Sequence, residues 1–169
     1  MGGHRFGMKI KPLHREDGVE LSRLLEKQSP DYRADFHPFP DEGAEAMAEL
    51  LSSARKDRYR AVIFEDEWVA FYMLRGWDAG FDRPSFGLLV DEARSGRGIG
   101  TLCLHAAMAE CRLAGADSCM LKVARENLSA RKIYERAGFR FESLCPATGH
   151  EILSIRWKED PVGWKGVEG

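Results

Sequence analysis

Nothing in this chain is apolar for long. The longest such run, Val69 to Leu74, falls far short of the roughly 20 residues that cross a bilayer. The first residues, Met1 to Gly7, hold no apolar signal core, and Phe6 stands where an N-myristoylation start needs Ser or Thr. An excess of one charge is also missing. A net charge of −2 and a pI near 6.2 do not supply the basic surface that a nucleic-acid partner demands. Cys103, Cys111, Cys119 and Cys145 form no C-x-x-C pair and have no histidine at zinc-ligand spacing. They read as buried, reduced thiols, and no metal is expected. These absences point to a soluble, cytosolic protein with neither membrane nor nucleic-acid partner.

Two nucleotide motifs are absent as well. No Gly-Lys pair precedes Ser or Thr, so there is no P-loop. The dinucleotide pattern G-x-G-x-x-G fails from Gly96, where the third glycine falls at Thr101, and from Gly98, where it falls at Cys103.

What remains is a glycine-rich turn of another kind, Arg94-Ser95-Gly96-Arg97-Gly98-Ile99-Gly100-Thr101. It follows a strand-like run, Phe86 to Val90, and opens a helix-like segment, Leu102 to Ala114. Such a turn leaves unpaired N–H groups at the positive end of a helix, a natural seat for phosphate. Glycine lets the backbone approach the ligand, and Arg94 and Arg97 add charge. A phosphorylated cofactor is expected there.

The rest of the chain supplies the frame. Its 169 residues, 44% hydrophobic and 31% charged, suit a single globular domain, expected over residues 8–160 with flexible termini at 1–7 and 161–169. Met8 to Leu13 reads as a strand. Asp17 is placed to cap a helix with Leu21, Leu24, Leu25 and Gln28 on its inner face, and Asp41 to cap another with Ala44, Met47, Ala48 and Leu51. Tyr59–Phe64 and Trp68–Leu74 form a hairpin around Glu65-Asp66-Glu67. A loop, Gly76 to Pro84, leads to the strand before the glycine turn. The helix from Ile99 presents Ile99, Leu102, Cys103, Ala106 and Leu113 and stops at Gly115. Ser118–Val123 is a strand, and Asn127 caps a helix that buries Ala130, Ile133, Tyr134 and Ala137 before Gly138. Phe139–Leu144 and Ile152–Trp157 are the last strands. The order is β-α-α-β-β-β-α-β-α-β-β, a mixed α/β pattern without repeat or linker.

Val90 through Gly100, Leu121 through Val123, and the run Asn127-Leu128-Ser129-Ala130-Arg131-Lys132-Ile133-Tyr134-Glu135-Arg136-Ala137-Gly138-Phe139 together resemble the GCN5-related N-acetyltransferase superfamily. The resemblance is close over residues 86 to 141 and rests elsewhere on element order. Two positions depart from the family pattern: Ser95 stands where Arg or Gln is usual, with Arg94 displaced by one, and Glu92 stands where proline is common. The resemblance implies one mixed, mostly antiparallel sheet with helices on both faces, the acyl-CoA N-acyltransferase fold. It implies acetyl-CoA as cofactor, its pyrophosphate held by Arg94 to Thr101, and its pantetheine paired with the backbone of Leu88, Leu89 and Val90 and flanked by Asn127 and Tyr134. A strand N–H near Leu89 would serve the oxyanion.

Acyl transfer to an amine also needs an acid for the departing thiolate and a base for the ammonium. Tyr134 is the expected acid, since a phenol stays protonated at neutral pH. Candidates for the base are Glu65, Asp66, Glu67, Asp78, Asp82, His37 and His150, with Asp78 ranked first and a water relay as the other route. Trp77 and Phe81 can stack on a ring, while Asp78 and Asp82 attract an ammonium. The expected reaction is acetyl transfer to a small primary amine, an amino sugar among the acceptors. The alternatives are a protein α-amine or lysine acetyltransferase and a non-catalytic acyl-CoA sensor. An edge strand near the C-terminus offers a surface for a homodimer.

Overall fold

The computed structural model describes residues 7–157. The expected flexible termini lie outside the described residues, Gly7 excepted, as do residues 158–160 of the expected domain. Seven strands form one sheet: β1 Met8–Pro12, β2 Arg58–Phe64, β3 Glu67–Arg75, β4 Ser85–Val90, β5 Ser118–Val123, β6 Arg140–Leu144 and β7 Glu151–Arg156. Their spatial order is β1-β2-β3-β4-β5-β7-β6. Every neighbouring pair is antiparallel except β4 and β5. The four α-helices are α1 Gly18–Glu26, α2 Ala44–Ser53, α3 Ile99–Leu113 and α4 Leu128–Arg136. The expected element order and mixed sheet are both found.

Side chains alternate across the sheet, and the two faces bury separate cores. Phe71, Met73 and Leu89 pack with Leu21, Leu24 and Leu25 of α1 and Met47 and Leu51 of α2. Their neighbours Tyr72, Leu74 and Phe86 turn the other way, onto Cys103, Leu104 and Cys111 of α3 and onto Phe139. Both helix pairs are therefore fixed to opposite faces by the same two-residue period. All four cysteines are buried.

Three local expectations are corrected. Asp17 stands at the N-cap of α1 but makes no side-chain bond to the helix; its carboxylate reaches back to accept the His14 N–H at 2.9 Å and pairs with Lys11. Asp41 caps its own turn, accepting the Gly43 N–H at 2.8 Å, and Gly43 is the residue before α2. Leu113 is 88% exposed, whereas Leu104, nine residues earlier, is fully buried. Nine steps at about 100° each put those two residues on opposite sides of α3. The hairpin stands as expected, with Glu65 and Asp66 both at positive φ (50° and 66°), the twist-matched form of a two-residue turn.

Candidate active site

The sheet is incomplete at its middle. β4 pairs with β3 along its whole length, from Ser85–Arg75 to Val90–Ala70. With β5 it pairs only at Ser85–Met120 and Phe86–Leu121, after which the two strands part. The ladder then assigns the backbone groups. The Asp91 N–H donates to Val69 O at 2.9 Å, and Pro84 O accepts the Met120 N–H at 3.0 Å. By the antiparallel alternation, Gly87 and Leu89 direct their N–H and C=O to β3, while Leu88 and Val90 direct theirs into the gap. The expectation of an oxyanion donor near Leu89 therefore moves to its neighbours. The Val90 carbonyl is already held, accepting the Tyr32 hydroxyl at 2.8 Å. Leu88 and the Val90 N–H form a short strand edge without a ladder partner, facing Lys122, Val123 and Ala124 across a cleft of about 1760 Å³. That exceeds the roughly 300–1,000 Å³ of an ordinary small-molecule pocket and suits a long ligand together with a second one. An extended, amide-bearing chain is what such an edge accepts.

The glycine turn stands at one end of this gap. Gly96 and Gly98 have φ of +74° and +82°, and a Cβ at either would touch nothing within 4 Å. Conformation rather than crowding demands glycine there. The first bond of α3 runs from the Leu102 N–H to Gly98 O at 3.0 Å, so the N–H groups of Ile99, Gly100 and Thr101 have no acceptor within the helix. Those three residues, with Ser95, Gly96 and Gly98, line the cleft. The two arginines do not. Arg94 is ion-paired with Glu67 at the hairpin, and Arg97 is exposed outside the cleft lining. Ser95 turns its hydroxyl to Glu92 O at 2.9 Å. Attraction for an anion at this turn comes from backbone dipoles, not from the guanidinium groups read from the sequence.

The α4 face that was expected to be buried is half-buried, because it forms a wall of the cleft. Asn127 does two jobs at once: its Oδ1 accepts the Ala130 N–H at 3.2 Å, capping α4, and the residue lines the cleft. Tyr134 lines it too. Its ring meets Phe86 edge-on at 6.3 Å and Phe139 at 6.3 Å. Burial, with a smaller contribution from Cys103 nearby, pushes the phenol up to about 12. Across the whole range of ordinary pH it is a proton donor.

The segment between α1 and α2 starts beside the glycine turn, where Ser29 donates to Glu92, and crosses to the other end of the cleft. Arg33 fixes it from inside, donating to Glu42 at 2.6 and 2.7 Å and to the carbonyls of Leu25 and Phe36 at 3.1 Å. Arg75 on β3 holds Pro38 O at 3.0 Å. The segment thereby carries Asp31, Asp35 and His37 to the cleft, which Phe81 and Asp82 also line. His150, between β6 and β7, completes this end with Nε2 3.7 Å from Asp35 Oδ1.

Asp78, the first-ranked base in the sequence, is not brought here. Its carboxylate accepts the N–H groups of Arg55 (2.9 Å), Lys56 (2.7 Å) and Asp57 (3.3 Å), closing the connection from α2 to β2. Those bonds, the Arg55 N–H foremost, hold its carboxyl below the usual range and make it a poor base. Trp77 also stands outside the lining, with Nε1 donating to Asp82 O at 3.3 Å and the Arg58 guanidinium 5.9 Å above its ring. Of the seven candidate bases, His37, Asp82 and His150 line the cleft; Glu65, Asp66, Glu67 and Asp78 do not. Tyr32 and Asp35 were missed altogether. Their partners are 58 and 115 residues away, and nothing local to them signals the contact.

A parted strand pair, an open helix N-terminus beside it and a phenol on the facing helix come together at this cleft. The chain belongs to the Acetyltransferase (GNAT) family, whose model matches residues 21–139. The solved structures similar to it share the fold. The GNAT domain of PAT from S. lividans has a TM-score of 0.74 at 20% identity, covering 89% of this chain and 90% of that one. YncA from Salmonella typhimurium, solved with its cofactor acetyl-CoA, has a TM-score of 0.72 at 13% identity over 92% of this chain and 96% of its own. The PaiA N-acetyltransferase from Thermoplasma acidophilum, in complex with coenzyme A, has a TM-score of 0.69 at 18% identity over 89% and 99%. No curated protein sequence matches the chain. Among the described residues no helix is long and apolar enough to cross a membrane.

Proposed function

We propose that this protein is an acetyl-CoA-dependent N-acetyltransferase that passes an acetyl group directly to a primary amine of a small metabolite, with amino sugars among its acceptors. The observation that carries this reading is the gap between β4 and β5, which opens beside the glycine turn of α3. Acetyl-CoA supplies an acetyl group activated as a thioester, on an amide-bearing arm that ends in a pyrophosphate. The residues present fit it. The N–H groups of Ile99, Gly100 and Thr101 would hold the pyrophosphate within the wall made by Ser95, Gly96 and Gly98. Leu88 and Val90 would pair with the amides of the arm, and Asn127 keeps its amide NH₂ for the same ligand. One of the strand N–H groups supports the negative charge that develops on the carbonyl oxygen, and Tyr134 donates a proton to the departing thiolate.

The acceptor end supports an amine. Asp31, Asp35 and Asp82 line it, and carboxylates around a cleft concentrate cations. Phe81, 67% exposed, offers a face for a ring. The segment from α1 to α2 roofs this end, which suits a small molecule better than the open groove a protein α-amine or lysine requires. One observation favours the non-catalytic sensor: with Arg94 engaged by Glu67 and Arg97 outside the lining, the phosphate turn presents no arginine to the cleft. Release of coenzyme A thiol during incubation with acetyl-CoA and a panel of small amines tests both. Amine-dependent release supports the enzyme, and acetyl-CoA binding without turnover supports the sensor. All five residues of β6, at the sheet edge, are exposed; a second copy pairing there would make the expected homodimer, visible as a doubled mass by light scattering.

A further inference from the structure

The acceptor end of the cleft holds a paired imidazole to which the roles above assign nothing. His150 is fixed from behind: its N–H donates to Thr148 Oγ1 at 3.2 Å and its carbonyl accepts the Cys145 N–H at 2.8 Å. Glu151, next in sequence, pairs with Val123, so His150 stands at the end of the wall that faces Leu88 and Val90. Its side chain is 23% exposed, and Nε2 lies 3.7 Å from Oδ1 of Asp35. The two residues come from loops more than a hundred positions apart and meet at the cleft lining.

We propose that His150 is the base that takes a proton from the acceptor ammonium, and that Asp35 positions its ring. The inference rests on the acetyltransferase reading above. An alkyl primary amine titrates near 10, so at pH 7 about one such molecule in a thousand is free to attack, and a base is required. Imidazole is the side chain whose ordinary range matches that task. With Nε2 3.7 Å from the Asp35 carboxylate, a proton on Nε2 is the favoured arrangement, which leaves the Nδ1 lone pair for the substrate. The other two cleft candidates are less suited. No side-chain hydrogen bond or ion pair fixes His37 among the described residues, and Asp82 is a carboxylate, a weak base toward an ammonium.

The step balances. Nδ1 takes one proton from the ammonium, and the freed nitrogen forms the C–N bond as the C–S bond breaks. The departing thiolate takes the Tyr134 proton, and the surplus proton of the new amide nitrogen passes through solvent to restore the phenol. His150 returns its own proton to solvent. Asp35 is the charged group beside the imidazole; the neighbouring elements also carry Asp31 and His37 on the roofing segment, Lys122 on β5, Cys145 after β6, and Glu151, which is held by Arg131 and Arg125.

The test compares wild type, His150→Gln and Asp35→Asn with acetyl-CoA and a probe alkylamine, the faster of phenethylamine and ethylamine. His150→Gln should lose about 100-fold in kcat/KM at neutral pH, the lower part of the range for a general base. Its remaining rate should climb with pH toward the amine's own titration near 10, so that the acidic limb moves to higher pH, while acetyl-CoA still raises its unfolding temperature as it does that of wild type. Asp35→Asn should lose about tenfold and displace the same limb. Trifluoroethylamine, already largely neutral at pH 7, should be acetylated with a much smaller penalty by His150→Gln than ethylamine is. A His150→Gln rate within threefold of wild type with its acidic limb at the wild-type pH overturns the base role alone. An unchanged Asp35→Asn profile overturns the positioning role. Binding of acetyl-CoA by wild type with no amine acetylated overturns the function proposed above, and this inference with it.

Discussion

Removing one oxygen, in Tyr134→Phe, separates chemistry from packing at this site. The ring contacts with Phe86 and Phe139, both at 6.3 Å, survive in phenylalanine, so stability should change by no more than about 0.5 kcal/mol. The loss falls on the departing thiolate, which no longer receives a proton from the enzyme. General acid catalysis is worth about 10²–10⁴-fold. A thiol, with an ordinary value near 8.5, is an undemanding leaving group, so the expectation lies at the low end, about 100-fold in kcat or ~2.7 kcal/mol of barrier. KM for acetyl-CoA should stay within about twofold, because the backbone of Leu88 and Val90 and the α3 amides hold the cofactor. The pH profile adds a second check. Burial raises the phenol to about 12; its protonated form is present below that value and lost only above it, so Tyr134 imposes no basic limb on wild-type activity below pH ~11. Stopped-flow thiol release on both proteins, with unfolding curves as control, measures all of this. An unchanged kcat in a folded variant refutes the acid role.

Three other perturbations probe separate parts of the frame. Gly98→Ala forces a side chain to a φ of +82°, costing about 1–2 kcal/mol, and should weaken acetyl-CoA about tenfold by calorimetry; unchanged affinity means the turn does not hold the cofactor. Asp78→Asn should leave acetyl transfer unchanged and lower the unfolding temperature at pH 7. The depressed carboxyl contributes stability that is present above the ordinary aspartate range and lost as pH falls through its lowered value, so the difference should close below about pH 4. Glu42→Ala strands the buried Arg33 guanidinium and should cost about 3 kcal/mol by urea unfolding; a loss under 1 kcal/mol means the roofing segment is anchored some other way.

Much of the frame was legible because it is written locally. Short apolar runs bounded by charged residues mark β2 and β3, and the glycines at 96 and 98 mark a turn whose φ values only glycine adopts easily. The run from Asn127 to Phe139 carries its own cap and stop. What the sequence hid is what depends on distant pairing. Leu88-Leu89-Val90 and Leu121-Lys122-Val123 are plain strand sequences, and nothing in them says that they part after Phe86. Arg94 looks like a phosphate ligand until Glu67 is seen beside it. Asp78 looks free in its loop, yet three N–H groups from 21 to 23 residues earlier converge on it. Leu113 is a further case, because apolar identity alone does not say which side of α3 meets the sheet.

Thermal unfolding with acetyl-CoA, beside ATP and NAD as controls, tests the central claim most directly. Ligand at ~100 times its dissociation constant adds about 2.7 kcal/mol, which for a domain of this size is roughly 5–10 °C. The account predicts such a rise with acetyl-CoA and none with ATP or NAD. No rise with acetyl-CoA at millimolar concentration would contradict it, because the gap between β4 and β5 and the α3 amides would then not be a cofactor site.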